Sequence, residues 1–201
     1  MDFTKVQREL ERRGYRVTVC PDAASAAAYL NAEIDGTSVG FGGSVTLREL
    51  GLIESLGAHN EVVSHWDVPE GRTTEEVRHD AMRCEAYLTS ANGLAETGEI
   101  INIDGTGNRV AATLYGHERV FFVIGRNKLA PTYDEALWRA RNVAAPKNAQ
   151  RLARRTPCAI RADRCYDCRS PERICHGLVV LWEAMKGSRT EVVLVDADLG
   201  Y

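Results

Sequence analysis

Apolar and polar positions come in short blocks along this chain, and the period of the pattern changes from block to block. Between Asp2 and Arg13, Phe3, Val6 and Leu10 recur at three- and four-residue intervals, which predicts a helix closed at Gly14. Tyr15–Cys20 reads as a short strand, and Asp22 suits the cap of an alanine-rich helix reaching about Glu33. Thr37–Phe41 predicts a strand that enters Gly42-Gly43, with a helical segment from Ser44 and another over Leu52–Leu56. Further strands are expected at Glu61–Ser64, Ala86–Thr89, Glu99–Ile103 and the wholly apolar Val120–Ile124. Thr73 with Glu76, and Thr132 with Glu135, stand at capping-box spacing and predict helices to about Arg83 and Ala144. Asn108–Tyr115 is a short helix, and Pro146 fits the first turn of another that ends near Arg155. The last strands are expected at Leu178–Trp182 and Val192–Val195, joined across Gly187-Ser188, and Trp138 and Trp182 are expected in the core.

Strands alternating with helices predict an α/β fold built on a mostly parallel sheet. One stretch breaks the pattern. Thr156–His176 shows neither helical nor strand period, and structureless loops of that length are usually functional.

Length and composition fit one ordinary globular domain over residues 1–201. The 201 residues are 44% hydrophobic and 26% charged, too apolar for a disordered chain. No apolar run is long enough to span a bilayer, so no membrane partner is expected. The polar start Met1-Asp2-Phe3-Thr4-Lys5 does not resemble a secretory leader, and a reducing, cytoplasmic setting is expected.

Charge changes this picture. The formal net charge is −3, but Lys147–His176 carries eight basic and three acidic side chains. That stretch is therefore +5 and the remainder −8. Four of the six cysteines, Cys158, Cys165, Cys168 and Cys175, fall in the same stretch, whereas Cys20 and Cys84 stand alone and read as buried packing residues.

Three segments share one design, an apolar strand followed by small and basic residues. They are Gly40-Phe41-Gly42-Gly43-Ser44-Val45-Thr46, Asp104-Gly105-Thr106-Gly107-Asn108-Arg109 and Gly125-Arg126-Asn127-Lys128. Ligands of open α/β sheets sit at the carboxyl ends of strands, glycines let backbone approach a ligand, and helix starts attract anions. Together the segments predict one anion or carboxylate site, with Arg109, Arg126 and Lys128 adding positive charge. Each alone has a plain alternative, a tight strand–helix turn. Thr89-Ser90-Ala91-Asn92, dense in hydroxyl and amide groups after a strand, is expected to join the site. Glu96, between two strands, is the candidate general base or carboxylate nucleophile, or else an exposed turn residue.

Cys158-x6-Cys165-x2-Cys168-x6-Cys175 offers four soft ligands within eighteen residues. Such a set suits a [4Fe–4S] cluster first and zinc second, with a redox disulfide or no metal as the remaining readings. A zinc ribbon normally brings two C-x2-C knuckles, and this chain has one. His176 is a reserve ligand. Arg161, Arg164, Arg169 and Arg173 would offset a cluster's negative charge or dock an acidic redox partner.

These motifs, with Pro157-Cys158 and the ending Asp198-Leu199-Gly200-Tyr201, resemble the LUD (lactate-utilisation) domain family over nearly the whole chain. The resemblance implies a NagB/RpiA/CoA-transferase-like fold, a Rossmann-like mostly parallel sheet flanked by helices. The cysteine-rich segment would precede its C-terminal strands. It also implies a part in redox metabolism of a small organic acid, beside iron–sulfur partners. The wider fold includes CoA transferases with a glutamate nucleophile, for which Glu96 is the counterpart here.

Three functions follow as expectations: an iron–sulfur protein of organic-acid oxidation, a transferase or isomerase acting on an anionic small molecule through Glu96 and Arg109, and a non-catalytic subunit of a redox complex. A homo-oligomer stays open. The arginines form no recognised nucleic-acid motif, and nucleic-acid binding is not expected.

Overall fold

A computed structural model describes residues 2–201. Helix α1 (Thr4–Arg12) buries Val6 and Leu10, and Gly14 at φ +82° turns the chain into β1 (Arg16–Cys20). The Asp22 carboxylate accepts from the Ser25 N–H and caps α2 (Ala23–Glu33). Strand β2 (Ser38–Phe41) leads through Gly42-Gly43 to Ser44, which caps α3 (Val45–Glu49) by accepting from the Leu47 N–H. Then come α4 (Leu52–Gly57) and β3 (Glu61–Ser64). The expected capping box of Thr73 and Glu76 opens α5 (Thr74–Ala81). It is followed by β4 (Ala86–Thr89), β5 (Gly93–Ala95), β6 (Ile100–Asp104), α6 (Asn108–Leu114) and β7 (Arg119–Gly125).

A 3₁₀ turn, Arg126–Lys128, separates β7 from the two-residue β8 (Leu129–Ala130). Thr132 caps α7 (Tyr133–Arg139), which runs through a π-helical segment, Ala140–Ala144, into α8 (Ala145–Arg151). Two separate helices are expected here, and the structure joins them. The widened π register lies just before Pro146, where a residue without an N–H is tolerated. The expected irregular segment opens with a short helix, α9 (Pro157–Arg161), before β9 (Gly177–Leu181) and β10 (Arg189–Val195).

Strands β1-β10-β7-β4-β2-β3 form a six-stranded sheet in which every pairing is parallel. Helices cover both faces, so the central strands are apolar along most of their length, Val120–Ile124 in β7 and Val192–Val195 in β10. In β7, Val120, Phe122 and Ile124 join one core with Val6 and Leu10, while Phe121 and Val123 join the other with Leu30 and Leu88.

A second sheet, β8-β5-β6-β9, packs beside it, with β5–β6 and β6–β9 antiparallel. Here the sequence misleads. Leu178–Trp182 and Val192–Val195 are neighbours in the chain but belong to different sheets. β9 is the edge partner of β6, from Ile100–Leu181 to Asp104–Gly177, whereas β10 is buried between β1 and β7. Trp182 is 69% exposed and Trp138 60% exposed, so neither is a core residue. Cys20 and Cys84 are buried as expected. Among the described residues no helix is long and apolar enough to cross a membrane.

Candidate functional site

Parallel strands bring β2, β4 and β7 to a common carboxyl edge, and the antiparallel β6 ends beside it. A cleft of about 590 Å³ lies there, lined by Gly43, Ser44 and Thr46, by Thr89, Ser90 and Asn92, and by Asp104, Gly105 and Asn108. Lys128, Arg109 and the tail Gly200-Tyr201 also border it. The three glycine segments and the Thr89–Asn92 stretch thus meet, as their positions predict.

The glycines act differently from the expectation. A Cβ at Gly42 would stand 3.0 Å from Arg109 and from the Thr89 hydroxyl, and one at Gly43 would stand 3.0 Å from Trp66. At Gly105 it would meet the Ile174 carbonyl at 2.6 Å. These three positions let the protein's own neighbours pack close. Gly107 serves the turn, with φ +93° and open space around it, and neither it nor Gly42 lines the cleft.

The cations divide sharply. Arg126 points away from the cleft, held by Asp198 at 2.9 Å and Asp196 at 3.1 Å. Asn127 also lies outside the cleft and fastens the tail: its Oδ1 accepts from the Leu199 N–H, and its Nδ2 donates to the Gly200 carbonyl. Arg109 borders the cleft but is committed to the protein. Its guanidinium donates to the Ile103 carbonyl at 2.7 Å and to the Asn102 amide oxygen, with Asp104 3.3 Å away. Burial lowers its pKa, with Asp104 acting in the opposite sense. It braces the β6–α6 loop rather than presenting a free fork. Asp104 shapes the same loop by accepting from the Thr106 and Gly107 N–H groups.

Lys128 is the exception. The 3₁₀ turn after β7 sends it inward, where only 4% of it is exposed. Its Nζ donates to Thr46 Oγ1 at 2.7 Å and to Ser90 Oγ at 2.8 Å. Among the described residues it has no ion-pair partner. Burial, reinforced by Arg139 and Arg109, pushes its pKa down from 10.5 to about 7.

Glu96 is not brought to the cleft. It sits in the turn after β5 and pairs with Lys5 at 2.7 Å, with both side chains partly exposed. The plain alternative, a turn glutamate, describes it.

The opposite wall comes from segments that the sequence does not mark as parts of a cleft. His65, Trp66 and Arg78 reach it from the β3–α5 region, Arg151 and Arg154 from the end of α8, and Arg173 to His176 from the cysteine segment. The guanidinium groups of Arg48 and Arg151 each lie 5.3 Å from the centre of the Trp66 ring. The Arg78 Nε is buried without a hydrogen-bond partner. The +5 stretch was the only sequence signal for this wall, and it pointed to a cluster or a partner instead.

Segment 156–176 is tied down by polar clamps. His176 donates its N–H to the Asp104 carbonyl at 2.9 Å, Arg173 donates to the Cys168 and Cys175 carbonyls, and Arg155 pairs with Glu172 at 2.7 Å. All four cysteines of the segment are free and part-exposed. Cys175 borders the cleft. Burial raises its pKa; Arg173 opposes that, while Cys165 and Cys168 add to it, so these three thiols lie within electrostatic reach. Cys158 sits in the first turn of α9, with its thiol 3.2 Å from the Thr156 hydroxyl. Among the described residues no three His, Cys, Asp or Glu side chains gather at metal-ligand spacing. The donor set nonetheless has the soft character that iron–sulfur centres and zinc require.

Comparison with known proteins agrees with this architecture. A DUF162 family protein from Deinococcus radiodurans has a similar structure, with a TM-score of 0.50 and 16% identity over 97% of this chain and 98% of that one. Ribose 5-phosphate isomerases match about half of the chain: the Plasmodium falciparum enzyme at TM-score 0.35 and 15% identity over 54% of this chain and 52% of its own, the Neisseria gonorrhoeae enzyme at 0.34 and 15% over 53% and 52%. No curated protein matches the chain. The LUD domain family model matches residues 3–195, and the chain belongs to that family.

Proposed function

We propose that this LUD domain binds a small organic anion, of the carboxylate class, in the strand-end cleft, and that its cysteine segment holds a redox metal centre at the wall of that cleft. One observation carries the reading: Lys128 and Cys175 border the same cleft, whose basic side chains outnumber its acidic ones six to two. Arg78 and Arg154 form no ion pair among the described residues and are available to a carboxylate, while Arg151 donates to the Asn148 amide oxygen.

Cys158, Cys165, Cys168 and Cys175 would hold an iron–sulfur centre, which supplies one-electron transfer when bound. Arg173, already clamped to two cysteine carbonyls, would offset its negative charge. A second reading, proton or group transfer on the same anion with a structural zinc, is favoured by the depressed pKa of Lys128.

Anaerobic purification followed by iron, sulfide and zinc analysis tests the metal centre. Iron with matching sulfide, and a brown colour that dithionite bleaches, is the expected result. Zinc alone would turn the segment into a structural brace and favour the second reading. Thermal shift with lactate, oxalate and sulfate tests the cleft: stabilisation that is lost in the Arg78→Ala, Arg154→Ala double variant is expected.

A further inference from the structure

The hydrogen bonds around Lys128 determine more than anion binding. Ser90 Oγ donates its one proton to the Val123 carbonyl, and Thr46 Oγ1 donates its own to the Leu199 carbonyl at 3.3 Å. With both hydroxyl protons directed to these carbonyls, Nζ is the donor to both oxygens. A neutral amine has two protons and one lone pair. Both protons are used, and the lone pair is left without a partner on the protein.

The surroundings keep that lone pair available. The cations Arg139, on α7, and Arg109, on α6, both act on the amine, and the acidic influence that opposes them is Glu49 at the end of α3. Glu49 is itself engaged, accepting from the Gly200 N–H at 2.7 Å. An amine among cations in a desolvated pocket is the arrangement that makes a lysine nucleophilic near neutral pH. Gly200 preserves the space beside it: its φ is +60°, and a Cβ there would stand 3.3 Å from Nζ and 2.6 Å from Thr46 Oγ1.

We infer that Lys128 is a nucleophile for a small oxo acid, condensing with its carbonyl while the guanidinium groups of the opposite wall hold its carboxylate. This rests on the anion-binding reading of the cleft and names its substrate class. The amine lone pair attacks the carbonyl carbon and forms the C–N bond. The π electrons move to oxygen, which takes up a proton. The nitrogen gives up one proton to leave a neutral carbinolamine, whose hydroxyl takes up a second proton and departs as water; the nitrogen lone pair forms the C=N bond, the last proton on nitrogen is released, and an imine remains. Amine and oxo acid thus give imine and water, with no oxidant or reductant required.

The test is reductive trapping on the wild-type protein. Glyoxylate or pyruvate is added with cyanoborohydride at pH 7, and the four lysines are mapped by peptide mass spectrometry. Lys5, Lys147 and Lys186 are exposed and serve as internal controls. Lys128 should be labelled about 10-fold faster than any of them or more, since exposed amines are almost wholly protonated at that pH. Excess sulfate should slow labelling of Lys128 and leave Lys147 unchanged. Labelling spread over the exposed lysines, with Lys128 unmodified, overturns the inference. If that result accompanies stabilisation by oxalate, the anion cleft stands and only the nucleophile is lost. Fast labelling of Lys128 that sulfate does not slow, without stabilisation by any anion, breaks the anion-binding reading instead and leaves the reactive amine.

Discussion

The two walls of the cleft are built by different physics. The strand-end wall stands on the sheet core: Leu88 beneath Thr89 and Ser90 is 0% exposed, and Phe122 and Ile124 lie beneath Lys128 at 0% and 1%. Hydrophobic burial fixes its geometry. The cysteine wall has little apolar support. Only Thr156 and Ala159 are buried between Arg155 and His176, and Ile160 is 71% exposed. Backbone and side-chain hydrogen bonds from Arg173 and His176 hold it instead. Burial supplies rigidity that needs no ligand, and it also permits an uncharged lysine. A clamped, solvated loop supplies accessible thiols whose arrangement can respond to what binds.

This contrast can be broken most directly at Arg109, the brace between β6 and the cleft. Arg109→Met leaves the Asp104 carboxylate without its compensating charge and should destabilise the protein by about 3–5 kcal/mol in urea titration. Adding Asp104→Asn should recover part of that loss. A loss under about 1 kcal/mol would mean that Arg109 is not the brace described.

Next, Leu88→Ala should cost about 2–5 kcal/mol, whereas Ile160→Ala should change stability by no more than about 0.5 kcal/mol. Equal effects would dissolve the distinction between the walls.

The third effect is pH-dependent. The pKa of Lys128 falls to about 7 in the folded protein, against 10.5 normally, so between those values the unfolded chain binds the extra proton and stability rises with pH. Relative to Lys128→Met, the wild type should gain stability from pH 7 to 8.5, with a slope approaching about 1.4 kcal/mol per pH unit. Cys84 and Tyr87, whose pKa values burial raises, act in the opposite sense only at higher pH. A flat difference would show that Lys128 keeps its proton.

Smallest is Glu96→Gln. It removes one partly exposed pair with Lys5 and should alter stability by about 0–1 kcal/mol, with no change in anion binding.

Much of the fold follows from local chemistry. Asp22, Thr73 and Thr132 cap the helices they predict, and the apolar run of β7 belongs in a doubly covered parallel strand. The meeting of the glycine segments follows from one rule about strand ends. The roles of individual side chains do not. Arg126 and Lys128 are two residues apart and equivalent as cations in the sequence. A single 3₁₀ turn sends one to Asp196 and Asp198 in solvent and the other beneath Ser90 and Thr46. Glu96 and Arg109 look reactive as residue types, yet each has its partners within the protein. Arg78, Arg151 and Arg173 are distant from the glycine segments in the chain but face them in space.

The sequence by itself determined the alternation of strands and helices, the caps and the four-cysteine segment, because these depend on neighbours a few residues away. Tertiary structure decided which strand joined which sheet, which cation was neutralised and which thiol faced the cleft. Pairing, desolvation and charge compensation depend on residues that only folding brings together.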